Sequence, residues 1–298
     1  MKHVWSNRKQ IARLNTGVVG SIYAIFGFAG MFVPLDELLP ETLSLTKRIA
    51  CSFGILLGIW LVSVFALSWY LSRKKRFDVI TANGGHKLYV QYGDLFDENE
   101  VLNPSERRNI VVPVNRCFDT IVDNQLISEK TLHGIAFKKL YASGRYTEES
   151  LNTKIQELLA SKNYEYEMVS ETLKPAGNTK RYLEGTIVDL PGCGNEHLLL
   201  WALSTFDCDL KARTSMQQYV LAVQKLIEAC STESEGFPVV LPLVGTGLSR
   251  VEKNQIDVLS YLLSAFKLNR DKINCDIHII VHDDAKHEIA IMDVKREK

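Results

Sequence analysis

No charge of one sign dominates this chain. Lys plus Arg and Asp plus Glu both total 35 in 298 residues, which excludes the broadly basic surface that nucleic-acid binding needs. Cysteine is sparse. The six thiols, Cys51, Cys117, Cys193, Cys208, Cys230 and Cys275, form no C-x-x-C pair, so a zinc ribbon or redox dithiol is excluded. They are expected to be reduced and mostly buried, as in a cytosolic compartment. Cys193 and His197 are four apart but lack a second ligand pair, so no metal site is expected. The chain also lacks internal repeats, low-complexity segments and any long linker.

The neutral average hides two opposite halves. Residues 1–76 carry ten Lys/Arg and three Asp/Glu, a balance of +7; the remainder carries 25 and 32, a balance of −7. The basic part also holds two uncharged apolar runs, about 16–35 and 49–71. Each reaches the roughly 20 residues that a helix needs to cross a bilayer. A cleaved signal peptide is not expected, because the first run is long and a second follows. Lys2, Arg8, Lys9 and Arg13 precede the first run, Arg73, Lys74, Lys75 and Arg76 follow the second, and only Lys47 and Arg48 lie between them. The positive-inside bias then puts both termini in the cytosol and makes residues 1–76 a two-helix transmembrane hairpin. Ala50, Gly54 and Gly58 form a small-residue stripe suited to helix–helix packing, within the hairpin or between chains.

From 77 to 298 the composition is globular. Strand-like runs occur at 87–92, 109–114, 181–190, 197–205, 238–244 and 275–281. The third and fourth are joined by Pro191-Gly-Cys-Gly-Asn195, whose glycines read as hairpin-turn chemistry. Between the strands, Ser150 is a candidate helix cap, and Thr214/Gln217 and Ser249/Glu252 are candidate capping boxes. Alternating strands and helices predict an α/β domain with a mixed, mostly parallel sheet flanked by helices. The fully apolar run 238–244 predicts a strand buried on both faces.

Three strand ends carry chemistry. After 238–244 comes Gly245-Thr246-Gly247-Leu248-Ser249-Arg250, a glycine pair before a capped helix start, which fits either an anion site for phosphate or a tight turn. It is neither a Walker loop nor a Rossmann fingerprint. After 87–92 comes Gly93-Asp94-Leu95, where Asp94 is placed to accept from an exocyclic amine or to cap a turn. After 109–114 comes Asn115-Arg116-Cys117-Phe118-Asp119, amide, charged and aromatic groups together, with Phe118 equally suited to core packing. In open α/β sheets ligands collect at the carboxyl ends of strands.

The order Gly-Asp-Leu, then an apolar strand with an Asn-containing loop, then an apolar strand with Gly-Thr-Gly-Leu resembles the macro domain over about residues 80–290. The resemblance implies an ADP-ribose-type ligand. Asp94 and Leu95 would meet the adenine, Asn115 to Asp119 the distal ribose, Gly245 to Arg250 the diphosphate, and His282 and Asp283 the adenosine. The first loop departs from the usual Asn-Ala-Ala-Asn run, so the resemblance implies a binding protein without catalytic residues or cofactor. A membrane-tethered ADP-ribosyl hydrolase, with Asn115 and Asp119 orienting water, is the alternative. Two spans followed directly by a divergent macro domain resemble the membrane effector of bacterial Thoeris antiphage systems. That resemblance implies a location in the inner membrane and a messenger such as a histidine–ADP-ribose conjugate, made by a TIR-domain partner. It further implies self-association and an action on the lipid bilayer, with no nucleic-acid partner.

Overall fold

The computed structural model describes residues 8–29, 44–73, 75–82, 84–244, 255–282 and 289. It divides into two compact units, 1–75 with 290–298, and 76–289.

In the first unit two helices are described, α1 (Arg8–Ala29) and α2 (Leu45–Arg73). Residues 30–35 of the first expected span lie outside the described residues. Among the described residues, one helix is long and apolar enough to cross a membrane. It is α2, whose stretch Phe53–Tyr70 has mean hydropathy 1.9 and is 0% buried within the protein. Phe53, Val62 and Phe65 are all about 70% exposed, which in water would be a costly surface. The helices meet through a polar contact in which Ser63 Oγ donates to Asn15 Oδ1; Asn15 and Val19 are buried there. The small-residue stripe lies elsewhere. A Cβ added at Gly54 or Gly58 would meet nothing within 4 Å.

The second unit is a three-layer α/β domain. In chain order its elements are β1 (Arg76–Thr81), β2 (Lys87–Gly93), β3 (Arg108–Asn115), α3 (Leu132–Ala142), α4 (Glu148–Ser161), β4 (Tyr166–Met168), β5 (Lys180–Tyr182), β6 (Ile187–Pro191), β7 (Glu196–Phe206), β8 (Ala212–Arg213), α5 (Met216–Thr232), β9 (Val239–Pro242), α6 (Gln255–Leu268) and β10 (Ile277–His282). The main sheet runs β1-β2-β10-β9-β3-β7-β6, with β8 added to β7, while β4 and β5 form a separate ribbon. The five strands from β2 to β7 are mutually parallel, and β1, β6 and β8 pair antiparallel. All five carboxyl ends therefore share one edge.

Period-2 alternation sends Ile110, Val112 and Val114 of β3 into a core with Phe137 and Leu140 of α3 and Leu151, Ile155 and Leu159 of α4. The opposite face packs on α5, where the Trp201 indole N–H donates to Ala222 O at 3.0 Å. β9 is buried throughout, as a strand covered on both faces must be.

Some boundaries differ from the sequence expectation. The run 181–190 is two strands, β5 and β6, broken at Gly185 (φ +78°). A Cβ there would lie 2.9 Å from Ala222 Cα, so the chain bends where only glycine lets it approach α5. Ser150 does not cap α4; it completes a capping box whose N-cap is Thr147. The box of α5 is Ser215/Gln218, one residue later than expected. Thr214 is instead buried, its hydroxyl on Leu203 O. Residues 249–252 lie outside the described residues. The Pro191–Asn195 link is a hairpin turn: Gly194 has φ +58° and Gly192 N–H donates to Glu196 O.

A buried polar network ties β1, β2 and β10. Arg76 donates to Gln91 Oε1 at 2.6 Å and to Glu100 O at 2.7 Å, and Gln91 Nε2 donates to Glu100 O at 2.8 Å. His278 Nδ1 lies 3.0 Å from Gln91 Oε1, with its ring stacked on Tyr89. Burial lowers the His278 pKa to about 3, helped by Arg76, and burial lowers that of His133 in α3 to about 3. Both rings are neutral in the fold. Below about pH 6.5 the unfolded chain takes up protons that the folded chain refuses, so stability is full above that value and lost as pH falls toward 3. Near pH 5.5 the two rings together should cost about 3 kcal/mol relative to pH 7.5. Urea unfolding followed by near-ultraviolet circular dichroism should show this loss, and His278→Gln should remove about half of it.

Candidate ligand cavity at the carboxyl edge of the sheet

The sheet is not continuous at its centre. β3 and β9 pair only at Asn109↔Val239 and Ile110↔Val240, and the sequence supplies the reason. Asn109 N–H points to Pro238 O, so in a parallel ladder the nitrogens of residues 111 and 113 face β9. Val239 and Leu243 donate toward β10, so the nitrogens of 240 and 242 face β3. Positions 113 and 242 are both proline, which has no N–H to give. The two donors that would close this ladder at its carboxyl end are missing from both sides.

A cavity of about 580 Å³ opens there, within the range of small-molecule sites. Pro113, Val114 and Asn115 from β3 and Leu243 and Val244 after β9 line it, as do Ser204 and Phe206 of β7. Loop residues 124–128, Lys130 and Thr131, the first residues of α3, and Leu210 to Ala212 complete the wall. Among the described residues its charged lining groups are Lys130 and Lys211, with no Asp or Glu, and Lys211 is paired with Asp209 Oδ2 at 3.1 Å just outside the wall. This cationic bias stands out in a part of the chain whose balance is −7, and it favours an anionic guest. Val244 and Gln255 both line the cavity. The glycine segment Gly245, Thr246, Gly247, Leu248, Ser249 and Arg250 lies between them, outside the described residues, and so does Asp283.

The remaining residues singled out from sequence occupy varied places. Asn115 is in the cavity wall. Its Oδ1 accepts from Cys117 N at 3.0 Å and Asp119 N at 3.4 Å, shaping the loop, while its Nδ2 is buried without a partner among the described residues. Arg116 turns to Tyr182 O at 2.7 Å and Glu184 Oε1 at 2.6 Å. Phe118, at φ +51°, is fully buried edge-on to Tyr182. Cys117 is buried, and burial pushes its thiol up to about 11. Asp119 is 1% exposed and pairs with buried Lys174 at 3.0 Å, also accepting Asn178 N at 2.6 Å. Its charge is engaged in fastening the 174–178 segment, against a burial cost that raises its pKa. Gly177 (φ +80°) completes this closure, since a Cβ there would stand 2.2 Å from Asp119 Oδ1.

At the end of β2, Asp94 is exposed and its Oδ1 accepts Phe96 N at 3.0 Å, the turn-capping option. Its backbone N–H meets Glu100 Oε1 at 3.3 Å, and Leu95 belongs to the core. His282 ends β10 opposite Gly93 and is exposed. Asp94 and Asn115 thus lie on one edge with β10 and β9 between them, two strand spacings of about 4.8 Å each plus the wider β9–β3 opening.

A sequence profile of the family described as Thoeris protein ThsA, Macro domain matches residues 88–282, well over half of the chain. The chain belongs to the Thoeris ThsA macro-domain family. A curated relative, Thoeris protein ThsA from Bacillus amyloliquefaciens (strain Y2), is 26% identical over 200 residues, which is 65% of this chain and 61% of the relative. The chain therefore spans less than two thirds of that relative's length. Among solved structures, a macrodomain point mutant from Oceanobacillus iheyensis aligns with TM-score 0.45 at 10% identity, covering 74% of this chain and 92% of that one.

Sequence reasoning missed most of the described wall of this ThsA macro-domain cavity, since Asn115 alone of the residues singled out lines it. Helix α3, the loop before it and His133 carry no motif. The usable signal was Thr131 ahead of Leu132, since Thr131 Oγ1 caps Gly134 N at 3.0 Å. The proline pair was visible but unread. Replacing both Pro113 and Pro242 with Val should restore the missing donors. Hydrogen exchange should then find slowly exchanging amides at 113 and 242. Fast exchange at both would show that something other than proline holds the strands apart.

Proposed function

We propose that this protein is a membrane-anchored receptor for an ADP-ribose-type nucleotide, acting as the effector of an antiphage defence system. One observation carries the ligand reading. A cavity whose described lining holds two lysines and no acid lies at the carboxyl edge of a macro-family sheet, and Val244, which precedes the glycine segment 245–250 in sequence, is part of its wall. Backbone N–H groups of such a segment, with the positive end of a following helix, are suited to a diphosphate. Asp94 stands about three strands away on the same edge, where it would serve the adenine.

In this reading the messenger is made by a TIR-domain partner and carries a further group, such as histidine, on the distal ribose. Its arrival changes self-association, and the hairpins then breach the inner membrane. The ligand must bind the assembled state more tightly than the resting one, or no population shifts. The exposed apolar surface of α2 supports a membrane location, with α1 as its hairpin partner. The open flank at Gly54 and Gly58, away from the Asn15–Ser63 contact, supports packing between copies rather than within one hairpin.

We read the protein as a sensor and not as a hydrolase. The engagement of Asp119 by Lys174 and Asn178 supports this, because that carboxylate is committed to holding structure and not to orienting a water.

Calorimetry of the full chain in detergent should register saturable binding of ADP-ribose without turnover. No heat and no thermal stabilisation would remove the ligand reading, and steady release of product would favour the hydrolase. Asp94→Ala should weaken ADP-ribose about fivefold, the worth of one net hydrogen bond; an unaltered affinity would place the adenine elsewhere.

Gly58→Leu tests the membrane half separately. Messenger-dependent depolarisation of cells should disappear in this variant while ADP-ribose still binds. Full depolarisation would take the small-residue stripe out of the mechanism.

A further inference from the structure

Strand β1 is an edge of the main sheet, with β2 its one neighbour among the described residues. It begins at Arg76, three residues after α2 ends at Arg73. An edge strand held from one side is among the first parts of a sheet to open. Beyond Asp78 its register slips at a bulge before Ile80. The Arg76 end is fastened by more than the ladder: Nε donates to Gln91 Oε1 at 2.6 Å, and Nη2 donates to Glu100 O at 2.7 Å.

Glu100, which receives half of that fork, is fully buried. Its carboxyl group reaches the other way. Oε1 accepts the Asp94 N–H at 3.3 Å, and Oε2 accepts from Gln91 Nε2. The carboxyl group lies where a side chain at position 93 would be, since a Cβ added to Gly93 would stand 2.0 Å from Oε1. The glycine of Gly93-Asp94-Leu95 therefore makes room for Glu100, and Glu100 sets where the turn starts. The turn then closes with Phe96 N on Asp94 Oδ1 at 3.0 Å and Asp97 N on Asp94 O at 3.2 Å. Asp94 itself is exposed and open to a guest. Charge links the same two ends: burial lowers the Arg76 pKa, and Glu100 is the largest influence opposing it.

One buried residue thus holds both the turn offered to the adenine and the strand by which the chain continues from α2. We infer that Glu100 is a positioning residue and a relay, which passes the ordering of the Asp94 turn by a bound nucleotide to Arg76 and β1. The inference rests on the nucleotide reading and deepens it, by naming how occupancy leaves the ligand turn. Binding that removes motion at one place lowers the cost of order at a linked one, without a change of mean structure. Glu100 suits this because both of its ends are hydrogen-bonded and close packing leaves its side chain no room to relax. The coupling is reciprocal, so loosening β1 weakens the nucleotide by the same factor that the nucleotide tightens β1.

Hydrogen exchange of the full chain in detergent, read by mass spectrometry with and without saturating ADP-ribose, tests this. In the wild type ADP-ribose should slow amide exchange across β1 about fivefold, while β6 at the opposite edge of the sheet keeps its rate. Glu100→Gln supplies one acceptor oxygen where the carboxyl group supplies two, so either Asp94 N–H or Gln91 Nε2 is left facing another donor. Arg76→Lys keeps the charge and loses the planar fork. It is the milder change and carries the test should Glu100→Gln fail to fold. Both variants should still bind ADP-ribose by calorimetry, no more than about fivefold more weakly, and β1 should no longer respond.

A wild type that binds ADP-ribose while β1 exchanges as in the free protein overturns the inference. So does slowing that survives in either folded variant, or that reaches β6 equally. Each of these leaves the nucleotide reading standing. A wild type that does not bind ADP-ribose overturns the reading and the inference together.

Discussion

A parallel β-ladder needs one N–H from each strand in turn, and at the centre of this sheet two of them do not exist. Pro113 and Pro242 face each other across the β3–β9 gap, so pairing stops after Ile110 and Val240. On either side the ladders continue. β3 keeps β7 in register up to Val114, with a bulge before Asn115 pairs with Ser204, and β10 keeps β9 to Pro242. The gap therefore widens only toward the carboxyl edge, where the helix-covered core ends. The position of the cavity, the exposure of Asn115 to it, and the approach of Val244 and Gln255 all follow from that unzipping. A fully paired central sheet of the same length would bring β3 and β9 to about 4.8 Å at this point and leave no such space.

The first loop shows how burial sorts polar residues. Five consecutive residues, 115–119, carry the chemistry that sequence reasoning would give a ligand site. Three of them are consumed by the protein itself. Arg116 is taken by Tyr182 O and Glu184, Phe118 by Tyr182, and Asp119 by Lys174 and Asn178. These partners lie about 60 residues away in sequence, in a ribbon and turn whose approach no local pattern announces. Once buried, Arg116 and Asp119 require partners of opposite charge, because an unpaired buried charge is far costlier than the pair is favourable. The loop's departure from the usual macro-domain run thus has a structural role, locking the 166–184 region over the domain.

Much of the fold was legible because apolar runs and period-2 alternation are set by burial alone, as in 87–92, 109–114 and 197–205. Strand ends were legible for the same reason, and with them the edge where the cavity lies. Boundaries governed by one close contact were not. Gly185 breaks a run that reads as one strand, and it does so because α5 passes within touching distance of its Cα. The shift of the α5 capping box from Thr214 to Ser215 is of this kind, since Thr214 is drawn inward to Leu203. The cavity wall was the least legible part. Lys130, His133 and Lys211 are ordinary residues in ordinary surroundings, and only the three-dimensional meeting of β3, α3 and the β7–β8 turn gives them a common purpose.

An unpartnered polar atom is not in itself a site. His278 Nε2 and Tyr219 Oη also lack partners among the described residues, yet neither residue lines the cavity, and His278 is held by Gln91 and Tyr89 in a network that knits three strands. The same holds for Asn115 Nδ2 and His133 Nε2: their residues line the cavity, yet the two nitrogens are closed off from it, and the His133 ring packs edge-on against Phe137 in the core. Lining a cavity and presenting a polar atom to its guest are separate properties, and only the second can select what binds.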